Sequence, residues 1–276
     1  MSRNKTTTIA SALGVAILCG PVGFPAHVVR AQGPSASAAT AAPPDFSGVY
    51  YREQQGRGGR GRQAGAPAAA RRGGPPPRPT QSAPVSDGSQ GRSPNAPSLT
   101  PEYLAKWETI SQSRIAGSYE FDNNAKCLPP GMPAMMGMPY GMEVMQTNDR
   151  ITFFSELNDA LRRVYLDGRK PTAKHLDDPT YAGYSTGHWE GDTLVVETVA
   201  LHPDSFIEGF TPHSEAMRVT ERIRFVAPDL LEDRITVTDP EALTRPWETV
   251  HTYRRAKYPN DELREFACAE GLSHEP

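Results

Sequence analysis

Polar and apolar residues alternate with a period of two through much of the second half of the chain. In Met217–Phe225, one face carries Met217, Val219, Glu221, Ile223 and Phe225, and the other carries Arg218, Thr220, Arg222 and Arg224. That period belongs to strands, whose successive side chains point to opposite faces. Short apolar runs bounded by turn residues place further strands at Glu143–Gln146, Arg150–Glu156, Leu161–Leu166, Ser185–Trp189, Thr193–Val199, Leu230–Thr238 and Thr249–Arg255, with Glu215–Phe225 as the longest. Thr147-Asn148-Asp149, Asn158-Asp159 and Glu190-Gly191-Asp192 supply tight turns between them. With 45–51 as a first strand, the pattern predicts a mainly β fold: an antiparallel barrel of about eight to nine strands, whose closure removes sheet edges. A β-sandwich is the alternative.

One N-terminal helix interrupts this pattern. Thr100 suits an N-cap and Pro101 the first helical position, with Glu102 behind it, so a helix is expected to about Ser113. Residues 129–142 read P-P-G-M-P-A-M-M-G-M-P-Y-G-M and hold five of the eight methionines. This segment is expected to be irregular, either a loop packed flat on a barrel end or an adaptable apolar lip over a pocket.

Upstream the composition changes. Residues 1–31 have a basic start, Arg3 and Lys5, then a small-residue apolar stretch broken by Gly20, Pro21 and Pro25, then Val29-Arg30-Ala31. This reads as a cleaved secretory signal, and the prolines argue against a membrane span of about 20 residues. The first strand, 45–51, precedes a Gly/Arg/Pro-rich stretch over 52–98, expected to be a disordered insertion because it lacks large apolar side chains. The barrel domain is expected over 99–276. Residues 32–100 carry eight Arg and three acids, about +5, whereas 101–276 carry 18 basic and 29 acidic residues, about −11. The Gly-Arg repeats at 56–62 suit weak contact with an anionic envelope surface or with the acidic domain, rather than specific nucleic-acid binding. Beyond the leader, Cys127 and Cys268 remain, and export to an oxidising compartment predicts a disulfide between them.

The chemistry candidates are polar residues on apolar faces. Glu221 shares a face with four apolar side chains, so it needs a partner or a proton. Arg163, on the Leu161 and Tyr165 side of its strand, is the expected partner, and Asp233 lies beside Leu231, Ile235 and Val237. The pair is either a structural ion pair inside the barrel or part of a site. His213 and Glu215 lie two apart and project to one side, as an acid/base pair, two metal ligands or a solvent-facing strand start would. The expected catalytic set is His213, Glu215 and Glu221; the expected ligand contacts are Arg163, Tyr165, Glu143 and Trp189. His188, His202 and His251 show no metal-ligand spacing, so no metal and no cofactor is expected. Gly183-Tyr184-Ser185-Thr186-Gly187 matches G-x-S-x-G, but a strand rather than a helix follows, which argues against a nucleophile elbow.

D-F-S-G-V-Y, L-T-P-E-Y, C-L-P-P-G-M-P, V-Y-L-D-G-R, W-E-G-D-T-L-V-V-E-T, H-S-E-A-M-R-V-T-E-R and T-V-T-D-P-E-A-L-T-R-P-W together resemble a group of uncharacterised exported bacterial proteins. The resemblance covers about 45–51 and 99–270 and implies a lipocalin-like barrel in the periplasm or outside the cell. The insertion at 54–98 departs from the shorter loop that it implies. Three functions are then open: a barrel binding a small, partly apolar molecule; a hydrolase, lyase or isomerase using the His/Glu residues; and a structural envelope protein.

Overall fold

The computed structural model describes residues 42–53, 92 and 95–268. All of them fall in a unit that spans 41–276. The leader expected at 1–31 lies outside the described residues, as does most of the insertion expected over 52–98.

Nine strands close into a barrel in chain order, from β1 (Gly48–Arg52) through β2 (Met142–Gln146), β3 (Arg150–Ser155), β4 (Ala160–Tyr165), β5 (Tyr184–Glu190), β6 (Thr193–Val199), β7 (Arg218–Ala227), β8 (Leu230–Thr238) and β9 (Trp247–Arg255). β1 seals the barrel by pairing with both β2 and β9. The expected mainly β barrel is thus the observed fold, with one exception to its antiparallel order: β4 and β5 run parallel. A parallel pair cannot be joined by a tight turn. The connection therefore travels the length of the barrel, carrying the short helix α2 (Ala173–Asp177), before it re-enters at Gly183. Gly183 has φ +68°, and a Cβ there would sit 2.7 Å from Thr198 Cγ2 and 2.8 Å from Leu201 Cδ2. Only glycine accommodates both the left-handed backbone and that contact.

Alternation sets the interior. Tyr50, Val144, Ile151, Phe153, Val164, Leu194, Val196, Val219, Ile223, Leu231, Ile235 and Val237 point inward and form one buried cluster. Phe46 closes one end against Trp189 and Phe225, with ring centroids 5.2 and 5.1 Å away. The other end is closed by the methionine-rich segment, by the β6–β7 loop, and by the β8–β9 loop. Helix α1 (Pro101–Ile115) extends two residues beyond its expected end. Thr100 precedes it in extended conformation, but its hydroxyl donates to the Glu241 carbonyl instead of capping α1. The helix is thereby tied to the β8–β9 loop, which the Asp239 carboxylate organises by accepting the N–H groups of Glu241 and Ala242.

The methionine-rich segment is partly regular. Ala134–Gly137 forms a 3-10 turn, and Met132, Met135, Met136 and Met142 are buried in the barrel cluster. Two barrel side chains pin it from below: Tyr253 donates to the Met136 carbonyl at 2.6 Å, and Arg52 donates to the Gly137 carbonyl. Cys127 and Cys268 form a disulfide, as expected, with their Cα atoms 5.7 Å apart. Such a bond suits an oxidising compartment.

Candidate functional site

Glu221 points into the barrel, as alternation predicts, and is fully buried. Its partner is Arg162, not Arg163. Arg162 Nη1 donates to Glu221 Oε1 at 2.8 Å, and Nη2 donates to Oε2. Nε reaches Ser185 Oγ at 3.1 Å, and Nη2 also reaches Thr198 Oγ1 at 3.0 Å. The expectation for Arg163 is corrected by the β3–β4 register. Ser155 pairs with Ala160 and Phe153 with Arg162, so Ala160, Arg162 and Val164 face the core. Leu161 and Arg163 face solvent instead. A one-residue shift of frame turns every side chain of a strand to the other face. Ser185, the apparent nucleophile of G-x-S-x-G, is a buried ligand of Arg162 in a strand that continues to Glu190.

A second carboxylate lies in the same interior. Asp233 is fully buried, and neither of its oxygens has a hydrogen-bond partner. Burial, reinforced by the neighbouring Glu221 charge, holds its carboxyl well above the ordinary carboxylate range. Arg162 hydrogen-bonds Glu221 alone, and Asp233, left without a partner, is the carboxyl whose neutral form burial favours.

The expected catalytic residues do not meet. His213 and Glu215 lie before β7, in the β6–β7 loop, where they line a groove of about 590 Å³ with Tyr103, Lys106 and Ile110 of α1. His213 Nδ1 donates to the Ser214 carbonyl at 2.7 Å, and Nε2 accepts from the Ser205 hydroxyl at 2.8 Å. Burial lowers the His213 pKa, so the ring is neutral and both nitrogens are occupied. Ser205 is fully buried, and Gly131 is packed so closely that a Cβ there would lie 2.4 Å from Ser205 Cβ. This Ser–His contact closes the β6–β7 loop on itself and offers no accessible nucleophile. Glu215 is exposed.

The expected ligand contacts are also dispersed. Tyr165 stacks on the outer surface with Tyr184 and Arg169. Glu143 follows Met142 on β2 and takes the outer face, and Trp189 packs into the opposite end of the barrel.

The interior opens at a different place. At the end covered by the methionine-rich segment lies a cavity of about 220 Å³. Its floor is the inner face of β8 and β9: Ile235, Trp247, Thr249 and His251. Its walls are Pro133, Ala134, Gly137 and Met138 on one side and Ile207, Glu208 and Gly209 on the other. Arg52 stands behind His251 and donates from Nη2 to Nδ1 at 2.9 Å. Burial first, and the Arg52 charge second, depress the His251 pKa to about 4, so the ring is neutral near pH 7. Glu208 is exposed at the rim of the cavity, and desolvation of its carboxyl raises its pKa while the Arg52 charge opposes the rise. This is a mostly apolar hollow with a few fixed polar groups, the usual composition of a small-molecule site. The alternation of Trp247, Thr249, His251 and Tyr253 along one face was the sequence signal for it. His251 was visible there only as one histidine among several.

No protein-family model matches the chain, the exported group suggested by its motifs included, and no curated protein matches it. Among solved structures the chain is similar to a crystal structure of a single-substitution mutant of the fluorescent protein UnaG. The alignment covers 50% of this chain and 88% of that chain at 16% identity, with a TM-score of 0.27. A similarity of that degree says nothing about chemistry, and the closed barrel rests on its own strand register.

Proposed function

We propose that the protein is an exported barrel that binds a small, partly apolar molecule in the cavity over His251. The carrying observation is the cavity itself: about 220 Å³, walled by Pro133, Ala134, Met138, Ile207 and Trp247, and entered by Glu208 and His251. An apolar cavity of about 150 Å³ already admits benzene. Drug-sized ligands occupy about 300 Å³ or more, so the occupant is a molecule of one small ring system. The methionine-rich lip supplies a wall that can adjust its shape through Met138. Export is supported by the leader-like pattern of residues 1–31 and by the disulfide.

The acid/base alternative loses ground at its own residues, because Arg162 takes both Glu221 oxygens and His213 has no free ring nitrogen. Trp247 provides the assay. Titration with small aromatic compounds should quench its fluorescence, and Ala134→Phe, which fills the cavity from the 3-10 turn, should abolish that response while leaving the fold intact. A response that survives Ala134→Phe places the ligand elsewhere.

A further inference from the structure

His251 is a buried side chain, 5% exposed, on the inner face of β9. Its tautomer is not free. A guanidinium only donates, so Arg52 Nη2 fixes Nδ1 as an acceptor. The single ring proton of the neutral imidazole is then on Nε2. That nitrogen lies beside Gly137, where an added Cβ would stand 3.7 Å away, at the wall of the cavity. Among the described residues no acceptor receives the Nε2 proton. Nε2 is not among the fully buried polar atoms left without a partner, so it is open to the cavity, where a bound acceptor can take its proton. Around it the walls are apolar, apart from Thr249 and Glu208.

We infer that His251 Nε2–H is the specificity-determining donor of this site, and that the ligand class is a small aromatic or alicyclic molecule bearing a carbonyl-type acceptor. Arg52 is the positioning residue: it touches no ligand, but it selects the tautomer that donates. The inference rests on the cavity being the binding site. It adds what the occupant must carry, since a hydrocarbon of the same shape would leave the Nε2 proton unmatched.

Two probes of similar shape, ethylbenzene and acetophenone, test it on the full chain with its disulfide intact. Affinities are read from Trp247 fluorescence for the wild type and for His251→Phe, which keeps a ring of similar size without the donor. The preference for acetophenone relative to ethylbenzene should fall about tenfold in the variant, the size expected for one buried hydrogen bond. In the wild type, the Nε2 proton resonance should move on addition of acetophenone and stay in place with ethylbenzene. That second readout needs no variant to fold. An unchanged preference in His251→Phe, or an Nε2 proton indifferent to acetophenone while Trp247 is quenched, overturns the donor inference and leaves the cavity standing. No quenching by either probe overturns the cavity reading as well.

Discussion

Replacing Asp233 by Asn should make the protein more stable at neutral pH, although the replaced residue lies at the centre of the barrel. Both Asp233 oxygens are buried without partners, and Glu221 beside it is already committed to Arg162. The folded state therefore keeps a proton on Asp233 at pH values where the unfolded chain has released it. The sign follows from proton linkage. Folding binds one extra proton above the ordinary carboxylate range, so stability falls as pH rises. The slope is about 1.4 kcal/mol per pH unit until the folded-state carboxyl itself ionises. An asparagine amide is neutral at every pH and has nearly the shape of the protonated acid. The two proteins should match near pH 4 and separate with that slope above it. Urea denaturation at several values between about pH 4 and pH 7 measures the difference, in which the other titrating groups cancel. Curves that stay parallel over that range would refute a proton held on Asp233.

Arg162→Met should cost about 3–5 kcal/mol, because it strands Glu221 in the core, whereas Arg162→Met combined with Glu221→Leu should recover most of the loss in the same denaturation assay. His251 should stay neutral down to about pH 4 in a histidine NMR titration. Because its folded pKa lies below the unfolded one, acidification from about pH 6.5 to pH 4 should remove about 3 kcal/mol of stability. Arg52→Met should raise that pKa toward the ordinary histidine range. Loss of the disulfide through Cys268→Ser should lower the unfolding free energy read from urea denaturation by up to about 5 kcal/mol for a bridge spanning 141 residues.

The barrel was legible because its signal is repeated: nine short runs, most of them alternating and bounded by Gly, Asn and Asp. Glu221 was legible for the same reason, as one charge in a clean apolar register. Arg162 was not. In Ala160-Leu161-Arg162-Arg163-Val164-Tyr165 both faces carry apolar residues. The larger ones, Leu161 and Tyr165, drew Arg163 inward. The structure buries the smaller ones, Ala160 and Val164, because the pairing of Ser155 with Ala160 sets the frame. Register is a tertiary property, and one strand's pattern does not contain it. The parallel β4–β5 pair was hidden likewise, since the long connection after Leu166 carries no mark of its direction. His213 and Glu215 misled for another reason. Their spacing is that of a strand, but Asp239 accepts from the Ser214 N–H and hydroxyl and holds the segment in a loop. The His251 cavity is assembled from three distant stretches, 133–138, 207–209 and 235–251, which meet only after the barrel closes.

The central claim is that the hollow over His251 holds a small, partly apolar molecule. The crystal structure of the protein soaked with acetophenone tests it most directly. The predicted result is ordered density between Met138 and Trp247, with the carbonyl oxygen within hydrogen-bond distance of His251 Nε2. An empty hollow, with density instead in the groove formed by Tyr103, Lys106 and His213, would contradict it.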